Sequence, residues 1–164
     1  MHYEMKQHWL SFSDTFTIRD EAGRDALMVK GRVFSWGDKL SLQDMSGQEL
    51  AYVDQQMLSW GPTYRISRGG QEMAIVKKHL FSLFKTRFSV DVPGPDDLEA
   101  EGDFLGHDYR FIRNGQVVGT VSRAWFSLTD SYGIEVAPGT DDLLILASAV
   151  VIDMVTHDGK DKKE

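Results

Sequence analysis

The chain has 164 residues, of which 41% are hydrophobic, and this length suits one domain with a substantial core. It contains no cysteine, which excludes disulfides, thiolate metal sites and a cysteine nucleophile and fits a reducing compartment. Its 18 Lys and Arg against 25 Asp and Glu give a net charge of −7, so nucleic acid and anionic lipid are expected to repel it except at a local basic patch.

The N-terminal segment carries two signals. Residues 1–6 lack the basic region and the apolar run that mark a secretory signal, so we expect a cytoplasmic protein. Residues 3–10 resemble residues 52–58, which form the second arm of a predicted hairpin. The sequence therefore predicts an additional strand ahead of the first complete hairpin.

A short pattern recurs six times along the chain, with starts between 21 and 24 residues apart. Each copy opens on a large apolar residue, as in Phe34-Ser35-Trp36, and then reaches a turn glycine. A period of this length with one turn signal per unit is typical of closed or stacked repeat architectures. The turn glycines are Gly23, Gly47, Gly70, Gly94, Gly115 and Gly139.

Each repeat has the pattern of a β-hairpin. In the second repeat, residues 40–43 and residues 50–53 alternate in polarity on either side of Gly47. The second arm holds valine at one position in four repeats, and the residue two places earlier lies on the same strand face. We expect this face to point inward; the alternative is that these residues share no direction. They are Val29, Val53, Val76 and Val121, preceded by Leu27, Ala51, Ala74 and Gly119.

The fourth repeat departs from this pattern. After Pro93-Gly94-Pro95, its second arm is acidic and has little β-branched character, so we expect a short strand or an irregular edge. Acidic residues also suggest a cation site, but their order does not match an EF-hand loop, and a solvated face is the preferred interpretation.

A helix replaces the second arm of the sixth repeat. Thr140-Asp141-Asp142 supplies capping side chains and negative charge at its start, and residues 143–152 are apolar on every side. A helix of this kind must be buried all round. Because a membrane span needs about 20 apolar residues, a core helix is favoured over a spanning one.

The predicted elements assemble into a closed barrel. The N-terminal strand can supply the missing arm of the sixth hairpin, which removes the exposed edges of the sheet. We expect a mainly β fold, a closed twelve-stranded antiparallel barrel of six hairpin repeats around a central buried C-terminal α-helix. Residues 1–157 form this single domain, and the polar residues 158–164 form a disordered tail.

Four stretches carry a resemblance to known proteins: residues 31–40 (GRVFSWGDKL), 108–115 (DYRFIRNG), 125–132 (WFSLTDSY) and 150–153 (VVID). In this order they resemble the LURP-one-related family, which belongs with the Tubby C-terminal domain and the phospholipid scramblases. The resemblance covers nearly the whole chain and implies a twelve-stranded barrel around a central helix. It implies no established reaction, whereas Tubby domains imply binding of phosphoinositide headgroups through basic side chains.

Residues 129–134 are similar to the scramblase stretch described as a calcium-binding loop. The acidic pattern of that loop is matched only in part, by Asp130, Glu135, Asp141 and Asp142. The resemblance leaves open whether calcium binds between Asp130 and Asp142. No metal ligand and no cofactor are assigned.

The sequence contains no recognisable catalytic motif. Its five histidines show no metal-ligand spacing, and no serine lies in a Gly-x-Ser-x-Gly elbow. There is also no glycine-rich phosphate loop of the nucleotide-binding types. We therefore expect a non-enzymatic protein with no catalytic residue.

One stretch combines cations with aromatic residues against the acidic background. Lys77, Lys78, Lys85 and Arg87 surround Phe81 and Phe84 at a predicted strand-to-strand corner. Such a corner could insert its aromatic rings into an interface while its cations meet lipid phosphates. The alternative is that the apolar residues close a barrel end and the cations are solvated.

These observations favour a binding protein that touches anionic lipid, at the membrane surface only, or another acidic ligand. The alternatives are a module that docks a protein partner and scramblase-like lipid translocation. We expect neither a transmembrane span nor a nucleic-acid partner, because the net charge is negative and no recognition helix is predicted.

Overall fold

A computed structural model describes residues 1–6, 15–34, 37–56, 63–82, 85–123 and 131–161, with the backbone alone for residues 6, 32–34, 37–38, 80–82, 85 and 157–161. This part of the chain forms twelve strands and one helix. They are β1 (His2–Lys6), β2 (Thr15–Asp20), β3 (Asp25–Phe34), β4 (Gly37–Gln43), β5 (Glu49–Gln56), β6 (Thr63–Arg68), β7 (Gln71–Ser82), β8 (Lys85–Asp91), β9 (Leu98–Asp103), β10 (Asp108–Arg113), β11 (Gln116–Ser122), β12 (Ser131–Val136) and α1 (Asp142–Asp161).

The strands form one closed antiparallel barrel. Strands that follow one another in the chain pair with each other, and β1 also pairs with β12, from His2 opposite Glu135 to Lys6 opposite Ser131. The predicted closing strand at the N-terminus is therefore confirmed; its residues 7–10 lie outside the described residues. The closed twelve-stranded barrel with a single C-terminal helix is confirmed as well.

The turn glycines have the backbone that the repeat pattern predicts. All six have positive φ, between 76° and 106°. The β10–β11 hairpin places both Asn114, at 51°, and Gly115, at 76°, in the left-handed region. A two-residue turn needs positive φ at both central positions, and Asn and Gly accept that conformation at least cost.

The helix α1 occupies the lumen. Every residue from Leu143 to Val155 is buried, and the helix packs against β5, β7 and β12. The core helix is therefore confirmed, and the described residues contain no helix that is long and apolar enough to cross a membrane. The helix extends to Asp161, into the segment for which the sequence predicts a disordered tail, so the division of the chain at residue 157 stays a prediction.

The four repeated valines, and the residues two places before them, lie on the inner face of the barrel, as predicted. All eight of those residues are buried. At Gly119 an added Cβ would lie 3.0 Å from Ile145 Cγ2 of the helix and 3.1 Å from Phe111 Cδ2. The wall carries small residues there because the helix leaves no room for larger ones.

The two ends of the barrel are built differently. One, called here the hairpin end, carries turns 21–24, 44–48, 69–70, 92–97 and 114–115 together with the start of α1. The other, called the corner end, carries the turn at residues 104–107 and the connection between β7 and β8. The second arm of the fourth repeat, β9, pairs with β10 over five residues but with β8 over three, so its predicted irregularity lies on one side only.

Candidate functional site

The basic stretch lies on β7 and β8, with Lys78, Lys85 and Arg87 toward the corner end and Lys77 near the middle of β7. Lys77 pairs with Ser89, Lys78 with Phe88, and Ser82 with Lys85. Phe81 lies in β7, and its side chain, like that of Lys85, is outside the described part of the structure. Phe84, between the two strands, is outside the described residues altogether. The cations at 77, 78 and 87 are therefore the ones whose side chains can be placed.

Strand alternation separates these cations between the two faces of the wall. Val76 and Phe88, each 1% exposed, belong to the inner face. Lys78 lies two residues after Val76 and opposite Phe88, so it belongs to the inner face near the barrel rim. Lys77 and Arg87 belong to the outer face. Among the predicted residues whose side chains are described, Lys78 therefore does not share a face with Lys77 and Arg87.

The outer cations have polar neighbours. Lys77 Nζ lies 3.3 Å from Asp91 Oδ2, with both side chains partly exposed. Arg87 pairs in register with His79, whose Nε2 is 2.8 Å from Ser89 Oγ. The exposed Lys77–Asp91 ion pair contributes about 0–1 kcal/mol to stability, so it leaves the Lys77 charge available to a ligand at small cost.

A cavity of about 670 Å³ opens beside Arg87 on the outer wall. Neighbouring strands supply its lining, because Arg110 of β10 pairs in register with Glu101 of β9 on one side and with Thr120 of β11 on the other. Its polar lining residues are Thr86, Arg87, Glu101, Asp108, Arg110 and Thr120. Apart from Arg87, the sequence did not indicate this site, because its residues come from four strands of two different repeats.

The floor of the cavity depends on a glycine. Gly102 has φ of +137°, and a Cβ there would lie 2.7 Å from both the Asp108 carbonyl oxygen and Tyr109 Cα. No other residue fits this close approach of β9 to β10 without backbone movement. The glycine in an acidic strand was the one sequence signal that could have indicated an irregular wall here.

A second polar cluster is enclosed inside the corner end. His107 Nδ1 lies 3.4 Å from Asp153 Oδ1, both side chains are 1% exposed, and the His107 ring stacks on Tyr132 with centroids 4.3 Å apart. The Tyr132 hydroxyl donates a hydrogen bond of 2.9 Å to Met5 Sδ, and burial followed by the Asp153 charge raises the pKa of Tyr132 well above its usual value. Burial and Asp153 raise the pKa of Tyr109 in the same way. This enclosed cluster ties α1 to the wall.

The carboxylates of the calcium-like stretch have protein partners in this structure. Asp142 accepts a short hydrogen bond from the Tyr3 hydroxyl, Asp141 Oδ2 lies 3.6 Å from Arg68 Nη1, and Glu135 Oε1 lies 3.7 Å from His2 Nε2. Asp130 is outside the described residues. Among the side chains that the structure describes, no group of three His, Cys, Asp or Glu is placed to hold a metal ion.

Comparison with known proteins agrees with this architecture. A solved X-ray structure of a protein from Arabidopsis thaliana is similar to this chain, with a TM-score of 0.70 and 20% sequence identity over 94% of this chain and 91% of the other. At that identity the likeness shows the fold alone. No curated protein matches the chain. The family model described as LURP-one-related matches residues 1–153, and the chain therefore belongs to the LURP-one-related family.

Proposed function

We propose that this protein is a non-catalytic binding protein whose corner end meets anionic lipid headgroups at a membrane surface. The observation that carries the proposal is the unequal charge of the two barrel ends. At the hairpin end, carboxylates far outnumber cations: Asp20, Glu21, Asp25, Asp44, Glu49, Glu72, Asp91, Asp96, Asp97, Asp141 and Asp142 stand against Arg19, Arg24, Arg68 and Arg113.

The two ends are so far apart that the carboxylates of the hairpin end have little electrostatic influence on binding at the corner end. A strand of seven residues such as β8 spans about 23 Å, whereas the Debye length in physiological salt is about 8 Å. An anionic surface is therefore repelled by the hairpin end and meets the corner end with little influence from it. Each cation near such a surface contributes on the order of 1 kcal/mol.

The contact we propose is peripheral. The apolar helix is enclosed by the wall and is not available for insertion, so binding rests on surface cations of the corner end such as Arg87. An interaction of this kind weakens as salt is added, because exposed charges are screened.

Vesicle sedimentation tests the proposal. We compare phosphatidylcholine vesicles with vesicles that also contain phosphatidylglycerol or a phosphoinositide. The wild type should sediment only with the anionic vesicles, and alanine at Lys77, Lys78, Lys85 and Arg87 together should abolish this binding. The Lys77→Ala/Arg87→Ala double variant should lose about fivefold in affinity per charge.

The controls separate local charge from net charge. An Arg19→Ala/Arg24→Ala variant removes the same number of cations near the hairpin end and should bind as the wild type does. Lys78→Ala should have little effect, since Lys78 belongs to the inner face. If wild type and variants are equally indifferent to every anionic lipid, the proposal is wrong.

A protein partner is the second candidate function, and lipid translocation is the third. A partner that docks by shape would survive high salt and would not need the four cations. Movement of dye-labelled lipid between leaflets by the isolated chain would support translocation, and would contradict the assignment of a non-catalytic role.

A further inference from the structure

The barrel wall opens between β8 and β9. Among the described residues, the pairing between these strands runs from Val90 opposite Leu98 to Phe88 opposite Ala100 and stops there. The three residues of β8 before Phe88 and the three residues of β9 after Ala100 have no partners on each other's strand in that register. The cavity of about 670 Å³ lies beside this open seam.

The charges around the seam suit a ligand with two kinds of polar group. Arg87 and Arg110 offer guanidinium forks, which match phosphate oxygens in geometry and charge. Glu101 and Asp108 offer carboxylate oxygens, which accept hydrogen bonds from hydroxyl groups. The two cations and the two carboxylates have a net charge of about zero. A ligand that carries only negative groups would be attracted by the two arginines and repelled by the two carboxylates.

The guanidinium group of Arg110 is accessible to an anion. Its Nη2 lies 3.6 Å from Glu101 Oε1, a distance too long for a hydrogen bond, and its side chain is 57% exposed. A phosphate oxygen can therefore approach the guanidinium without breaking a hydrogen bond to Glu101. Thr86 and Thr120 line the same cavity and add hydroxyl groups that donate or accept.

We propose that this cavity, the seam site of Thr86, Arg87, Glu101, Asp108, Arg110 and Thr120, binds a phosphate ester that carries free hydroxyl groups. Arg87 and Arg110 hold the phosphate, and Glu101 and Asp108 accept hydrogen bonds from the hydroxyls. The volume lies within the range of about 300–1,000 Å³ that is usual for small-ligand sites. A glycerol phosphate group occurs both in free glycerol 3-phosphate and in the headgroup of phosphatidylglycerol. If the ligand is the lipid, this inference rests on the proposed function.

The test is an NMR titration of the full chain with glycerol 3-phosphate, inorganic phosphate and glycerol as separate probes. Glycerol 3-phosphate should bind about tenfold more tightly than inorganic phosphate, with amide shifts centred on Thr86, Glu101 and Thr120. Arg110→Gln should weaken it about tenfold, and Arg19→Gln, a matched outer-wall arginine, should leave it unchanged. Glu101→Gln should remove the preference over inorganic phosphate while the chain stays folded.

Several outcomes would overturn the inference. Absence of saturable binding in the millimolar range would exclude the site, and equal binding of the two phosphates would exclude recognition of hydroxyls. Equal effects of Arg110→Gln and Arg19→Gln would exclude the location.

A parallel vesicle arm separates this inference from the proposed function. Binding of phosphatidylglycerol vesicles without binding of glycerol 3-phosphate contradicts the seam site and leaves the lipid proposal standing. Binding of glycerol 3-phosphate without vesicle binding supports the seam site and assigns it to a free polyol phosphate.

Discussion

Gly119 stands where the central helix lies against the barrel wall. A Cβ at this position would lie 3.0 Å from Ile145 Cγ2 and 3.1 Å from Phe111 Cδ2, both of them in buried side chains. Distances in that range require the neighbours to move by a few tenths of an ångström. A tightly packed interior resists such movement, so the addition of a single methyl group strains the packing.

We expect Gly119→Ala to destabilise the fold by about 1–3 kcal/mol, and Gly119→Val to cost more. Thr120→Ala, at the next residue and on the outer face, should change stability by less than about 0.5 kcal/mol. Urea unfolding monitored by tryptophan fluorescence measures these differences. An unchanged midpoint for Gly119→Ala would mean that the helix can move away from the wall.

Two aspartates organise the first two complete hairpin turns. Asp44 Oδ1 accepts hydrogen bonds from the Ser46 and Gln48 backbone N–H groups, at 2.9 Å and 3.0 Å. Asp20 Oδ1 accepts the equivalent bonds from Ala22 and Arg24. The hydrogen bond from the Ser46 hydroxyl, followed by that from Gln48, holds the pKa of Asp44 below its usual range.

This pKa shift has a definite consequence for acid stability. Because the folded-state pKa of Asp44 is below the unfolded value, its ionised form stabilises the fold above about pH 4, and this contribution is lost as the pH falls through the folded-state pKa. Asp44→Asn should therefore lower the melting temperature at pH 7, and the difference should shrink below about pH 4. Glu72→Gln, in the next hairpin, is the control. A difference that stays constant with pH would contradict this account.

The helix α1 is held in the lumen by more than apolar contacts. Asp153 meets His107 and Tyr132 in a site where each of the three residues is at most 2% exposed. Removing one partner from a buried polar pair leaves the other without compensation. We expect Asp153→Leu to cost about 3–5 kcal/mol of unfolding free energy, and Asp153→Asn, which keeps an acceptor oxygen, to cost less.

Ser148, on the same helix, provides a control variant for which we expect no loss of stability. Its side chain is 1% exposed, and its Oγ has no hydrogen-bond partner among the described residues. Replacing an unsatisfied buried hydroxyl removes a desolvation cost, so Ser148→Ala should be neutral or stabilising. Chemical denaturation of the three helix variants side by side measures the contrast. Equal destabilisation by all three would show that only helix packing matters.

The elements were predictable from the sequence because their signals are local. Turn glycines and alternating polarity define each hairpin within about ten residues, and the apolar run from Leu143 identifies the core helix. Because side chains alternate between the two faces of a strand, the sequence also indicates that Lys77 and Lys78 belong to opposite faces. The prediction grouped them as neighbours in the sequence and did not take this into account. The Asp-x-x-Gly spacing before Gly23 and Gly47 is a further local signal of the aspartate-capped turns.

The candidate sites were not predictable because they depend on the exact register between neighbouring strands and on where the helix lies inside the barrel. Nothing near Arg110 in the sequence indicates that Glu101 and Thr120 flank it, or that the β8–β9 pairing stops at Phe88. His107 and Asp153 likewise come together only when the helix enters the closed barrel. Such contacts follow from strand register and from the position of the helix in the lumen, which no short pattern contains.

At the scale of the whole molecule, the charge asymmetry predicts an orientation at a membrane. The chain has no cysteine, so a single introduced cysteine can carry a probe. Leu105, 53% exposed at the corner end, and Met45, 47% exposed at the hairpin end, are matched positions. With an environment-sensitive fluorophore, Leu105→Cys should respond to phosphatidylglycerol vesicles and Met45→Cys should not. Equal responses would contradict the orientation.

The pairing of β1 with β12 also constrains how the protein is made. Tyr3 lies opposite Ile134, so β1 leaves the ribosome long before its partner β12, and the helix that fills the lumen follows later still. The intervening hairpins can form during synthesis, but they make an open sheet with two unpaired borders and an empty apolar face. Nascent chains of this protein are therefore most exposed to mutual aggregation just before β12 and α1 are synthesised.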